Sequence, residues 1–147
     1  MRYLGLDVGD KRIGVAVSDK TGTVATGLET IQRVGPRRDL KAVAELIRRH
    51  GAKEVVVGLP RSLDGSLGPQ AQKTLAFMED LRPLARVPVV PWDERFTSVV
   101  AERVLLEGNV SRKGRKGLVD KVSAILILQN YLDYRKLADA EARRSTA

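Results

Sequence analysis

Cysteine is absent from this chain, and histidine occurs once, at position 50. Disulfides and thiolate metal sites are therefore excluded, and a zinc centre built on imidazoles has too few ligands. Any metal bound here must be held by oxygen, which points to magnesium or manganese, whose preferred ligands are carboxylates and water. Aromatic residues make up only 4% of the chain, too few for the usual base-stacking platform of single-strand binders. No run approaches the roughly 18 consecutive apolar residues of a membrane span. Nor does the sequence start with a charged leader, an apolar core and a small-residue cleavage site. The expectation is a soluble, cytoplasmic protein with no membrane partner.

What the chain has is an excess of positive charge: 26 Lys and Arg against 18 Asp and Glu, a net +8. That balance favours a polyanion such as nucleic acid over an acidic small molecule. The 147 residues suit one domain with a sizeable core. No internal repeat or low-complexity segment divides it. Residues 1–138 read as that domain, and 139–147 as a polar tail that frays.

The stretch from Arg2 to Asp19 reads as two strands joined by a tight, charged turn. Period-2 alternation puts Tyr3, Gly5 and Asp7 on one face and Leu4, Leu6 and Val8 on the other. Asp7 is the anomaly, because a carboxylate inside an apolar strand is costly to desolvate unless it is paired or bound to a cation. Gly5 and the turn at Gly9 leave open space beside it for an ion or a substrate backbone. The alternative is that Asp7 caps the turn or pairs with Lys11 or Arg12.

A third strand is expected over Thr23 to Gln32, completing a meander. After Gly35-Pro36, the spacing of Leu40, Val43, Ala44 and Ile47 predicts a helix ending near Gly51. His50 beside that glycine reads as a C-terminal residue complementing the helix dipole, without chemistry. Glu54 to Pro60 is a continuous β-branched run, as expected for a strand buried on both faces. A polar loop leads to a helix over about Gln70 to Leu84, and Pro88 to Trp92 forms a fifth strand. Asp93 to Ser98 follows, then a helix over Val99 to Leu106. Gly108 to Gly117 reads as a flexible basic loop carrying Arg112, Lys113, Arg115 and Lys116. The last helix is expected to begin near Leu118.

This order predicts an α/β fold, a five-stranded mixed sheet flanked by helices on both faces, with the Val55 and Val89 strands parallel to the first. Ligand sites in such sheets lie beyond the carboxyl ends of the parallel strands. Asp7, Gly58 to Pro60 and Asp93 to Arg95 all fall there. Strand alternation sends Asp93 and Glu94 to opposite faces, so one of them joins Asp7, and the longer Glu94 is preferred. Asp120, near the start of the final helix, is a third candidate, with Ser123 and Ala124 small enough to let that helix approach the sheet. Taken alone, Asp120 reads equally well as a first-turn acid satisfying the helix dipole. Three such acids would hold one or two magnesium or manganese ions, which activate water for attack on a phosphodiester. Lys11, Arg12, Arg95, Arg112, Lys113, Arg115 and Lys116 would hold the phosphate backbone.

Four segments together resemble one known family: Leu6 to Ala16 (LDVGDKRIGVA), Val57 to Pro60 (VGLP), Asp93 to Ser98 (DERFTS) and Asp120 to Ala124 (DKVSA). In order and spacing they look like the YqgF/RuvX family of Holliday-junction-resolvase-like nucleases. The resemblance implies a ribonuclease H-like fold, cytoplasmic location, a magnesium- or manganese-dependent nuclease, and a role in maturing the 5′ end of 16S ribosomal RNA. It makes Asp7, Glu94 and Asp120 the catalytic and metal-binding acids. The wider ribonuclease H-like pattern places an acid at the end of the fourth strand, where this chain has Gly58-Leu59-Pro60. Precursor ribosomal RNA and branched DNA both stand as substrates. A twofold homodimer would suit junction cleavage and a monomer RNA processing. Two rivals remain: a non-catalytic nucleic-acid-binding or ribosome-assembly factor on the same fold, and an actin-like phosphotransferase, for which one domain is too short.

Overall fold

The computed structural model describes residues 1–62, 64–93 and 112–146, and of 112–120, 145 and 146 the backbone alone. Strands β1 (Arg2–Val8), β2 (Arg12–Ser18) and β3 (Ala25–Gln32) form the meander. Helix α1 (Pro36–His50) leads to β4 (Ala52–Leu59), and α2 (Pro69–Ala85) to β5 (Val89–Asp93). Helix α3 (Arg112–Thr146) closes the chain. The sheet order is β3-β2-β1-β4-β5. β1 pairs antiparallel with β2 and parallel with β4, and β5 runs parallel to β4. The mixed five-stranded sheet and its parallel crossovers are as the sequence pattern predicts.

Alternation along β1 divides the core into two. Leu4, Leu6 and Val8 pack with Val55, Val57 and Val89 beneath α1 and α2, against Val43, Ile47, Phe77 and Leu81. Tyr3, Ala16 and Val56 face α3 and its buried seam of Ala124, Ile127, Leu128 and Tyr131. At roughly 25 cal/mol per Å² of apolar area removed from water, both layers contribute heavily to stability.

Two boundaries differ from expectation for identifiable reasons. β3 starts at Ala25 rather than Thr23, because the Thr23 and Val24 amides donate to the Asp19 carboxylate at 2.8 and 3.1 Å instead of joining the ladder. Positions 112–117, expected within a loop, are helical backbone at the start of α3. Gly114 and Gly117 cost about 1 kcal/mol each in a helix interior. Extending a helix already anchored by its buried seam is nonetheless far easier than nucleating one. At its other end α3 runs to Thr146.

Asp39, in the first turn of α1, is 2% exposed. Burial by itself would raise its pKa, but the Val34 amide, the Arg33 side chain and the Gly35 amide together hold it below the ordinary carboxylate value. The contribution is therefore full above about pH 4, the unfolded-chain value, and is lost as the pH falls through the lower folded-state value. Asp39→Asn is expected to destabilise the protein by about 1 to 3 kcal/mol at pH 7. Thermal melts should show that gap closing as the pH falls below the ordinary carboxylate value; a gap independent of pH would contradict this assignment.

Candidate active site

Asp7 sits one residue from the carboxyl end of β1, half-buried, on the α3 side of the sheet. Its partner across β2 is Gly14. On β4, Gly58 stands one residue past the Leu6–Val57 pair, and Gly58 in turn pairs with Trp92 of β5. Both neighbours of Asp7 in its row therefore lack a side chain, and so does Gly5, two residues earlier on the same face. Among the described residues, the neighbours of this carboxylate in the sheet thus contribute backbone alone.

The turn that follows is braced from the opposite side of the sheet. The Gly9 amide donates to Arg12 O at 2.9 Å, and the Arg33 amide to Lys11 O at 2.9 Å. Arg33 also donates through Nη1 to Gly9 O at 2.8 Å and through Nε to Asp39 Oδ2 at 3.0 Å. Its guanidinium lies 5.5 Å from the centre of the Phe77 ring. Gln70 Nε2 donates to Val8 O at 3.3 Å, and Lys73 Nζ reaches Asp10 Oδ1 at 3.4 Å. Lys11 is exposed on this turn and Arg12 half-buried. No spacing rule marks Arg33, Gln70 or Lys73, since each acts on a segment distant in sequence.

Helix α3 comes very close to the sheet beside Asp7. A Cβ added at Gly5 would lie 2.7 Å from Leu128 Cβ and 3.1 Å from Ala124 O. Tyr131 meets Tyr3 edge-on at 6.5 Å between ring centres, so α3 descends toward its N-terminus as β1 ascends toward Asp7. On β5, Val90 and Trp92 pack on the α3 side while Val89 packs under α1 and α2. By alternation Asp93 falls on the face away from Asp7. Ser123 is buried, and its Oγ has no hydrogen-bond partner.

Glu94 and Arg95 lie outside the described residues. Asp120, Arg112, Lys113, Arg115 and Lys116 occupy helical positions of α3 whose side chains are not described. Among the described residues no three Asp, Glu or His gather as metal ligands, so Asp7 is the one predicted ligand in view. An oxygen donor flanked by glycines in its row, with an unpartnered hydroxyl buried on the neighbouring helix, suits a hard divalent cation. His50 stands at the C-terminus of α1, which feeds the amino end of β4, the end of the sheet opposite Asp7. None of the described helices is long and apolar enough to cross a membrane.

A family model described as "RuvX: Holliday junction resolvase" matches residues 1–134. A candidate pre-16S rRNA nuclease of Halothermothrix orenii is 53% identical over 135 residues, covering 92% of this chain and 96% of that protein. One from Symbiobacterium thermophilum is 48% identical over 142 residues, covering 97% and 99%. Among solved structures, Thermus thermophilus RuvC in complex with a Holliday junction superposes with a TM-score of 0.59 at 19% identity, covering 92% of this chain and 96% of that one. Fowlpox virus resolvase with Holliday junction DNA gives 0.58 at 13% identity, covering 91% and 98%. At such identities these two show a shared ribonuclease H-like fold.

Proposed function

The chain belongs to the RuvX family of Holliday junction resolvases, and from that premise we propose a divalent-metal-dependent nuclease acting in the cytoplasm on the 5′ end of precursor 16S rRNA. The observation that carries the reading is Asp7, set in a glycine-lined opening at the carboxyl ends of the parallel strands. The relatives named for pre-16S rRNA favour the RNA substrate. The family description favours a second reading, cleavage of branched DNA, to which a twofold homodimer would be suited.

Asp7, Glu94 and Asp120 would hold the cation, magnesium or manganese. Two features support the choice. Val90 and Trp92 pack on the Asp7 side and Asp93 falls on the other, which leaves Glu94 as the preferred second acid. Position 120 lies one helical turn, about 6 Å, beyond Ala124, much as Asp7 lies about 6.6 Å beyond Gly5. When bound, such a cation supplies Lewis-acid activation of water and stabilises charge on the leaving oxygen. Lys11 and Arg12 on the braced turn, with Arg95, Arg112, Lys113, Arg115 and Lys116, would hold the phosphate backbone without reading sequence. Hydrolysis adds water across one P–O bond, leaving a phosphate on one strand end and a hydroxyl on the other.

A side-by-side assay tests this on a precursor 16S rRNA 5′ stem and a four-way DNA junction, each with magnesium, manganese or EDTA. The RNA stem should be cut with either metal at least about tenfold faster than the junction, a preference of roughly 1.4 kcal/mol, and EDTA should stop both. Faster junction cleavage would select the second reading. Binding without cleavage under every condition would establish a non-catalytic assembly factor.

A further inference from the structure

At the opposite end of β1 from Asp7, the C-terminal half of α3 and the β2–β3 turn enclose an open cleft of about 430 Å³. Its walls include Tyr3, Thr21, Gly22, Lys136, Asp139 and Arg143. The turn rests directly on Tyr3: Gly22 has φ 68°, and a Cβ there would lie 2.9 Å from the ring. Any larger residue would be strained in backbone and would push into the cleft floor.

Positive charge accumulates around this floor beyond what its own acids neutralise. Arg135 is held by Glu54 at 2.9 Å and lies 5.3 Å from the Tyr3 ring centre. Lys53 Nζ also lies 5.3 Å from that ring. Lys136 Nζ contacts the Thr23 hydroxyl at 2.5 Å. Neither lysine has a carboxylate partner among the described residues. The acid nearest in sequence to the turn, Asp19, accepts from the Thr21 hydroxyl and from the Thr23 and Val24 amides, so its charge is spent inside the turn. Arg135, Lys136 and Arg143 on the cleft wall, with Lys53 beside the Tyr3 ring, thus outnumber Asp139 on that wall and Glu54 behind Arg135, around a concavity of nucleotide size.

We propose that this cleft is a second phosphate-binding site, occupied by the backbone of the same polynucleotide whose scissile bond is held at Asp7. The proposal rests on the nuclease reading and adds where the substrate extends. Helix rise places positions 136 to 143 about 24 to 35 Å from position 120, roughly seven to ten backbone steps at ~3.4 Å each. A substrate stem shorter than that reaches only the Asp7 end, and a longer one reaches both.

The test uses the full chain carrying Lys136→Ala with Arg143→Ala, both exposed positions, and a charge-keeping control, Lys136→Arg with Arg143→Lys. Three probes are compared: a precursor rRNA stem of about 25 base pairs, the same stem trimmed to about six, and inorganic phosphate, the two lengths falling either side of the ~3.4 Å-per-step span. The alanine variant should bind the long stem about tenfold more weakly, with a log–log salt slope smaller by one to two. Its kcat and KM on the short stem should match wild type, and the control should restore long-stem binding. Long-stem affinity and slope equal to wild type would overturn the cleft while leaving the nuclease reading intact. Tight binding of inorganic phosphate, lost in the variant with long-stem binding unchanged, would reassign the cleft to a free phosphate ligand. Wild-type protein that binds neither stem would refute the nuclease reading and this proposal with it.

Discussion

Asp7→Asn is expected to abolish cleavage, with a fall of at least about a thousandfold, or ~4 kcal/mol on the barrier, while substrate affinity stays within about twofold. The substitution keeps the shape of the side chain and removes its charge. In the row of Asp7, Gly14 and Gly58 offer no side chain on either side, so no adjacent group in that row can take over as oxygen donor. The backbone bonds from Arg33 and Gln70 that hold the following turn do not involve the carboxylate. Lys11 and Arg12 therefore keep their positions, and binding persists. A second readout separates loss of metal from misfolding. Manganese or magnesium should raise the melting temperature of wild type by linkage and leave Asp7→Asn unmoved. Undiminished cleavage by Asp7→Asn would sink the assignment of the site.

The second large effect is structural, and it lies two residues away. In Gly5→Val the new Cβ would start 2.7 Å from Leu128 Cβ and 3.1 Å from the Ala124 carbonyl. One contact is to backbone and the other to the root of a side chain, so neither can swing aside. Either α3 lifts off β1 or the sheet bends. The expected cost is about 3 kcal/mol, the upper range for overpacking a core, or roughly 6 to 12 °C in melting temperature for a chain of this size. Protein that remains folded should still cut poorly, because lifting α3 moves position 120 relative to Asp7. Gly27→Ala is the control. Its Cβ would meet the aliphatic stem of Lys121 at 2.7 to 2.8 Å and Ile125 Cδ1 at 3.3 Å, side-chain atoms that can turn away. That change should cost under about 1 kcal/mol, within the usual range for substitutions away from the core. Equal melting temperatures for Gly5→Val and wild type would show that α3 is not seated on β1 as described.

Much of this architecture was legible in the sequence because it follows from short periodicities. The alternation of Tyr3, Gly5 and Asp7 against Leu4, Leu6 and Val8 sorted β1 correctly between its two cores. The unbroken apolar run from Val55 to Leu59 marked a strand buried on both faces. Local signals failed where a distant contact outweighed them. Glycines at 114 and 117 suggested a loop, yet the backbone there is helical, continuous with the segment packed on the sheet. Thr23 and Val24 suggested strand, yet their amides go to Asp19.

By itself, the sequence determined the chemistry open to this protein: no thiolate, a single imidazole, surplus cations, and a carboxylate where an apolar residue belongs. Composition and period-2 alternation are properties of neighbours along the chain, and they need no fold to be read. Only the tertiary structure decided what surrounds Asp7. Gly14 and Gly58 flank it across two strands, Arg33 reaches back to the turn after it, and α3 presses onto Gly5 from more than a hundred residues away. The cleft around Tyr3 and Lys136 belongs to the same category. Such arrangements depend on which strands become neighbours and how closely a helix can approach them, and packing settles both.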